Sequence, residues 1–169
     1  MKALVIGATG AVGKDLVAQL LKDDSFERVD VFVRREMPLL SSKLVPHVVD
    51  FDHPEGWIDL LTGDVLFSCL GTTIKAAGSQ DAQWKVDYTY QYDAAKAARA
   101  NGVQQYILVS SVGADAHSKI FYSRMKGQLD WTPMPTEDVA AAMVRLAKSG
   151  KTGHGIITSQ EIRIFAYSK

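Results

Sequence analysis

Three polar positions near the middle of the chain have the types and spacing for carbonyl reduction. The segment YSRMK places Tyr122 and Lys126 four residues apart, hence on one helical face and one turn from each other. A tyrosine with its ordinary pKa of about 10 is a poor acid or base at neutral pH, and a neighbouring ammonium lowers that value by favouring the phenolate. Such a phenol can protonate a substrate oxygen as hydride reaches the carbon, while a serine hydroxyl from the Ser110-Ser111 pair holds that oxygen. The lysine can also hold a nicotinamide ribose. A Y-x-x-x-K spacing alone is a common helical accident. Here it follows Ser-Ser at the carboxyl end of an expected fifth strand, the edge where ligands of open α/β sheets gather.

Hydride chemistry needs a dinucleotide, and the N-terminus carries a loop for one. GATGAVG, from Gly7 to Gly13, lies between an expected strand and an expected helix, the context that the dinucleotide fingerprint requires. Gly7 permits the tight turn off the strand, Gly10 leaves room for the pyrophosphate, and Gly13 lets helix and strand pack closely. The helix then offers unpaired N–H groups and its positive dipole end to the phosphates. The glycine spacing is G-x-x-G-x-x-G in place of the commoner G-x-G-x-x-G.

The end of the second strand selects the cofactor. An acidic residue there accepts hydrogen bonds from the ribose hydroxyls of NAD, whereas arginine meets the 2′-phosphate of NADP. VDVFV is followed by Arg34-Arg35, and a guanidinium is a natural bidentate partner for phosphate, so NADP(H) is favoured over NAD(H). Asp50, at the end of the third strand, is placed to accept from the adenine amino group, with Phe51 beside it. Cys69 and Leu70 close the fourth strand, and Gly71-Thr72-Thr73 after them are placed to line a ribose. Ser110, Tyr122 and Lys126 complete the expected cofactor lining.

Other polar residues carry less. His47, His53, His117 and His154 have no metal-ligand spacing and read as surface or loop residues. The lone Cys69 reads as a small buried hydrophobe, excludes an intrachain disulfide and leaves no cysteine cluster for zinc. Trp84, Tyr88 and Tyr92 recur every four residues, the usual mark of core packing.

The elements that must position these groups alternate. Lys2 to Ile6 reads as a buried strand, and a helical spacing through Val12, Leu16, Leu20 and Leu21 ends near Lys22. Arg28 to Val33 is a second strand. Leu44 to Val49 is a third, with Pro46 marking an irregular or edge position. Trp57 to Leu61 fits a short helix and Asp64 to Ser68 a fourth strand. A long helical pattern from Asp81 to Asn101 stops at Gly102, before a fifth strand from Gln104 to Ser110. This is an α/β pattern: one Rossmann-type domain over 1–169, a doubly wound parallel sheet in order 3-2-1-4-5 with helices on both faces.

The 169 residues fit one domain, and 19 basic residues balance 19 acidic ones, which gives no reason to expect nucleic acid or a membrane surface as partner. No apolar run approaches the roughly 20 residues of a membrane helix, and no cationic leader precedes the first strand, so a cytoplasmic protein is expected. A small-molecule substrate is expected; a protein partner and a homo-oligomer both stay open.

GATGAVG, Arg34-Arg35, VSSVGAD from Val109 to Asp115, and Y-x-x-x-K together resemble the atypical short-chain dehydrogenases/reductases. The nearest likeness is to the NAD(P)H-binding branch similar to the human Tat-interacting oxidoreductase and its bacterial relatives, with NmrA-like proteins further off. The resemblance runs from Met1 to about Asp130 and resumes at Thr132. It implies a catalytic set of Ser111, Tyr122 and Lys126, a pyrophosphate held by Gly7, Thr9, Gly10, Ala11, Val12 and Gly13, and a 2′-phosphate held by Arg34 and Arg35. One departure is large. In such proteins the Y-x-x-x-K helix continues into a sixth strand and a substrate-covering segment, whereas here KGQLD passes directly to WTPMP. A mobile stretch on the order of 50–60 residues, the size of a βα unit with a long loop, is expected to be missing between Asp130 and Trp131. A carbonyl-carbon to nitrogen distance well above about 1.33 Å at that junction is its expected sign.

The leading expectation is an NADP(H)-dependent oxidoreductase acting on a small carbonyl or hydroxyl compound. A rival is a cofactor-sensing protein that regulates a partner without turnover. Sugar-nucleotide epimerisation ranks last, because the chain is short for a nucleotide-sugar domain.

Overall fold

A computed structural model describes residues 1–38, 41–110, 117–126 and 136–150. Five strands, β1 (Lys2–Ile6), β2 (Arg28–Val33), β3 (Leu44–Val48), β4 (Val65–Ser68) and β5 (Gln105–Leu108), form one parallel sheet in the order β3-β2-β1-β4-β5. This is the expected Rossmann order. The chain reverses direction across the sheet between β1 and β4, and a doubly wound sheet opens its ligand crevice at such a point.

Both faces of the sheet are covered, so its strands are apolar on both sides. Ala3 and Val5 of β1 face a cluster with Leu16, Val17 and Leu20 of α1 (Ala11–Lys22) and Ala140, Met143, Val144 and Ala147 of α6 (Thr136–Lys148). Leu4 and Ile6 face the other way, against Phe32, Phe51, Trp57, Leu61, Leu66 and the Ala94 and Ala98 of α4 (Tyr90–Ala100). The alternation follows from the two-residue strand period.

Asp30 is fully buried within β2, where two cationic groups and an imidazole meet its carboxylate. Arg28 Nε lies 2.6 Å away, Lys2 Nζ 3.2 Å and His47 Nε2 3.2 Å. Burial alone would raise its pKa; the bonds to Arg28, His47 and Lys2 outweigh it and hold the carboxyl below its ordinary value. His47 also stacks on Phe32 at 4.9 Å between ring centroids, so this histidine is a polar partner of Asp30 within the sheet and not a loop residue.

Pro46 sits in β3, an edge strand, as its missing N–H requires. The expected helix from Trp57 to Leu61 is replaced by two 3₁₀ turns, Pro54–Gly56 and Ile58–Leu60. Their geometry is fixed by tertiary bonds: Trp57 Nε1 donates to the Asp50 carbonyl at 2.9 Å, and Asn101 Nδ2 donates to the Ile58 and Leu61 carbonyls at 2.8 and 3.2 Å.

The long helix is not uniform. It comprises α3 (Gln80–Trp84), a π turn over Lys85–Thr89, and α4, preceded by the short α2 (Ile74–Ala77). Gly102, at φ +86°, ends it as expected. The aromatic row does not pack in the core: Trp84, Tyr88 and Tyr92 are 39, 44 and 56% exposed. The row one residue earlier, Gln83, Asp87 and Gln91, takes the inward face instead; outside it Tyr88 lies tilted against Trp84 at 4.8 Å and stacks on Tyr92 at 6.0 Å. Phe121 of α5 (Phe121–Lys126) adds to them, 6.2 Å from Trp84.

Among the described residues no helix is long and apolar enough to cross a membrane, and no group of His, Cys, Asp or Glu is arranged to hold a metal ion. The Asp130–Trp131 junction, Ser111 and His154 lie outside the described residues.

Candidate functional site

The loop from Gly7 to Gly13 is built by close backbone approach. Gly7 has φ +81°, and a Cβ there would fall 2.4 Å from the Cys69 carbonyl carbon. A Cβ on Gly13 would fall 2.1 Å from the Gly7 carbonyl oxygen. Both glycines are therefore demanded by the protein's own packing. Gly10 differs: it is exposed, and the nearest atom to a Cβ there is the Gly7 oxygen at 3.4 Å. Among the described residues nothing requires glycine so strongly at Gly10, and the open space there is what an approaching phosphate would need.

Gly10 is also the N-cap of α1 and, as glycine, brings no side chain of its own to the first-turn N–H groups. Those donors, with the positive end of a 12-residue helix, form an anion cradle opening at the carboxyl edge of β1. Thr9, Gly10 and Ala11 lie exposed on its rim, with Val12 half-buried behind them. The residues present fit a dinucleotide pyrophosphate.

The parallel sheet brings the other expected cofactor residues to the same edge. Arg34 and Arg35 follow β2 directly and both are exposed. Asp50 is exposed just beyond β3, where its Oδ1 accepts from the Asp52 N–H at 2.9 Å. The Phe51 ring is buried against Trp57 and Tyr90, at 5.1 and 5.4 Å. Its side chain serves the core, which leaves only its main chain to meet a ligand. Beside it, the Tyr90 hydroxyl donates to Asp52, and Lys85 Nζ lies 2.6 Å from that carboxylate. Burial, then the bond to Asp52, pushes the Tyr90 phenol up to about 12.

Cys69 and Leu70 run from β4 against the phosphate loop, and the Cys69 N–H donates to the Ile6 carbonyl at 2.9 Å. Burial pushes the Cys69 thiol up to about 12, which keeps it a protonated, unreactive group, as its reading as a small hydrophobe expects. Gly71 and Thr72 continue the wall of the crevice. Sequence reasoning missed what holds them: Gln83, Asp87 and Gln91, which are only 2, 6 and 4% exposed. Thr72 N–H donates to Asp87 Oδ2 at 2.9 Å, and Gln83 Nε2 donates to the Thr72 carbonyl at 3.0 Å. Gln91 Nε2 reaches the Leu70 carbonyl at 3.3 Å, and its Oε1 accepts from Ser68 Oγ at 2.7 Å. The signal was present as three polar residues at four-residue spacing, adjacent to the aromatic row.

The expected catalytic residues are less completely placed. Ser110 lies two residues beyond β5 and lines a cavity of about 270 Å³ with Tyr88, Tyr92, Tyr106, Leu108 and Met125. Asp87 and Gln91 also line that cavity, which takes no residue from the Gly7–Gly13 loop. Tyr122 is exposed on α5 outside the cavity lining, and Lys126 ends the same helix one turn later.

This fold and cradle define a nicotinamide-dinucleotide-binding protein of Rossmann type. The chain belongs to the NAD(P)H-binding family, which matches residues 7–133. It is 32% identical over 175 residues to the protein FMP52-1, mitochondrial, of Scheffersomyces stipitis, covering 99% of this chain and 76% of that one. It is 36% identical over 134 residues to the protein FMP52, mitochondrial, of Saccharomyces cerevisiae, covering 77% of this chain and 58% of the relative. Among solved structures it is similar to the oxidoreductase ylbE from Lactococcus lactis, with a TM-score of 0.59 and 25% identity over 75% of this chain and 59% of that one. MoeE5, in complex with UDP-glucuronic acid and NAD, shares the fold at a TM-score of 0.60 and 21% identity, over 85% of this chain and 49% of that one. An atypical short-chain-reductase type of protein is thus supported. The expected cytoplasmic location is not: curated relatives from four fungi are named mitochondrial, which points away from the cytoplasm, and an unremarkable N-terminus was no sound guide to compartment.

Proposed function

We propose that the protein is an NADP(H)-dependent oxidoreductase for a small carbonyl or hydroxyl compound, of the branch similar to the Tat-interacting oxidoreductase. The observation that carries this reading is the pairing of the Gly7–Gly13 cradle with two exposed arginines at the end of β2. The cradle accepts a pyrophosphate, and the arginines meet a 2′-phosphate. When bound, the nicotinamide supplies or accepts a hydride.

The chain's own residues supply the rest. In the reductive direction the Tyr122 hydroxyl donates its proton to the substrate oxygen, which leaves an alcohol. Lys126, one turn along α5, holds the nicotinamide ribose, and Ser111 orients the substrate oxygen.

The test is Tyr122→Phe assayed with NADPH against small aldehydes and quinones. Turnover is expected to fall about 10²–10⁴-fold with cofactor affinity unchanged. Unchanged turnover removes Tyr122 from the chemistry. If the wild-type protein binds NADPH but turns over nothing in the panel, cofactor sensing without turnover becomes the better reading.

A further inference from the structure

The two halves of the cofactor crevice are built differently. The phosphate-loop wall is held by close backbone packing at Gly7 and Gly13. The opposite wall, Leu70 to Thr72, has no regular structure, and side chains from the helix behind it hold its main chain. We propose that Asp87 and Gln83 are positioning residues that set this wall for the cofactor, and that the π turn exists to align them.

Thr72 is held on both of its polar main-chain groups. Its N–H goes to Asp87 Oδ2 at 2.9 Å, and its carbonyl accepts from Gln83 Nε2 at 3.0 Å. The peptide groups on either side of the residue are thereby fixed in orientation. In an ideal α-helix, residues four apart drift by about 40° per step, because the turn holds 3.6 residues. The wider π turn over Lys85–Thr89 offsets that drift, so Gln83, Asp87 and Gln91 all reach the segment from Ser68 to Thr72. Single π turns inside helices occur frequently at functional sites.

The row is costly for the core. Three polar side chains occupy the inward face where the next two turns carry Ala94 and Ala98, and Gln83 Oε1 is buried without a hydrogen-bond partner among the described residues. A core built for stability alone would hold apolar side chains there. Gly71 lies between the fixed groups, and a Cβ on it would meet only Asp87 Oδ1, at 3.6 Å. The inference rests on the dinucleotide reading above.

The experiment is titration of NADPH and NADH against wild type, Asp87→Ala, Asp87→Asn and Gln83→Met, each first shown to melt cooperatively without cofactor. Asp87→Ala is expected to raise the NADPH Kd about tenfold, the factor for loss of one well-placed hydrogen bond. Asp87→Asn keeps an acceptor for Thr72 N–H and is expected to stay within about threefold of wild type. Gln83→Met, of similar volume, is expected to weaken binding about fivefold. Amide exchange at Thr72 should accelerate in Asp87→Ala, a local readout that general destabilisation would not confine to this residue. Folded Asp87→Ala and Gln83→Met proteins with wild-type Kd overturn the proposal; if Asp87→Ala does not fold, Gln83→Met decides alone. If wild type binds neither NADPH nor NADH, the dinucleotide reading itself fails, a result these variants cannot mimic.

Discussion

Gly13 and Gly7 are in such close register that a single added carbon on Gly13 would sit 2.1 Å from the Gly7 carbonyl oxygen. Gly10, midway between them, has 3.4 Å to the same atom. The two substitutions to alanine should therefore fail in different ways. Gly13→Ala forces α1 off β1 and is expected to cost about 1–3 kcal/mol or more of folding stability, read from urea melts. Gly10→Ala should melt close to wild type yet bind NADPH at least about tenfold more weakly, because its methyl fills space kept for a phosphate. Equal loss of stability in both variants would mean that the loop is a packing motif alone.

Arg34 and Arg35 turn the same cradle into a test of cofactor choice. Both are exposed immediately beyond β2, beside the β1 loop in the sheet order. Replacing both with serine should weaken NADPH by about 10–100-fold, the range for loss of charged hydrogen bonds. NADH, which lacks the 2′-phosphate, should be unaffected. Fluorescence titration of the two cofactors reads the ratio directly, and a parallel loss of both would assign the arginines to something other than the 2′-phosphate.

Cys69 offers a check on the crevice wall from its chemistry. Its thiol is held up at about 12 by burial, so it stays protonated throughout the neutral range. Iodoacetamide at pH 8 should label the folded protein at least about tenfold more slowly than the unfolded chain, since the thiolate is the nucleophile. The linkage has a definite sign: a folded pKa raised above the unfolded value gives stability that is present below about pH 9 and lost as pH climbs towards 12. Rapid labelling of the native protein would show that the wall is open at Cys69.

Much of this was legible because strands and glycines leave strong local signals. The apolar runs at Lys2–Ile6 and Arg28–Val33, and Pro46 on an edge, follow from burial and missing donors that the sequence displays directly. The helix through Gln80–Ala100 was legible as a helix, but its facing was not. Aromatic residues at four-residue spacing normally face a core, and here tertiary hydrogen bonds to Leu70 and Thr72 turned Gln83, Asp87 and Gln91 inward instead. Long-range bonds of that kind have no periodicity to read. His47 was misread for the same reason: its partner, Asp30, lies on the neighbouring strand.

Lys148 Nζ meets Asp23 Oδ2 at 2.9 Å and joins the last turn of α6 to the residue that caps α1. The bond to Lys148 and backbone and side-chain bonds from Ser25 outweigh a smaller effect of burial and bring Asp23 down to about 2. A folded pKa below the unfolded one means that this stability is complete above about pH 4 and is lost as pH falls through 2. Lys148→Met should remove that acid-sensitive part while leaving the apolar contacts of Ala140, Met143, Val144 and Ala147 with α1 and the sheet intact. The expected difference at pH 7 is modest, about 0.2–1 kcal/mol, as for other partly exposed ion pairs, and it should shrink between pH 4 and 2. Urea melts of the two proteins across that range measure it. A difference that stays constant down to pH 2 would show that α6 is docked by its apolar face alone.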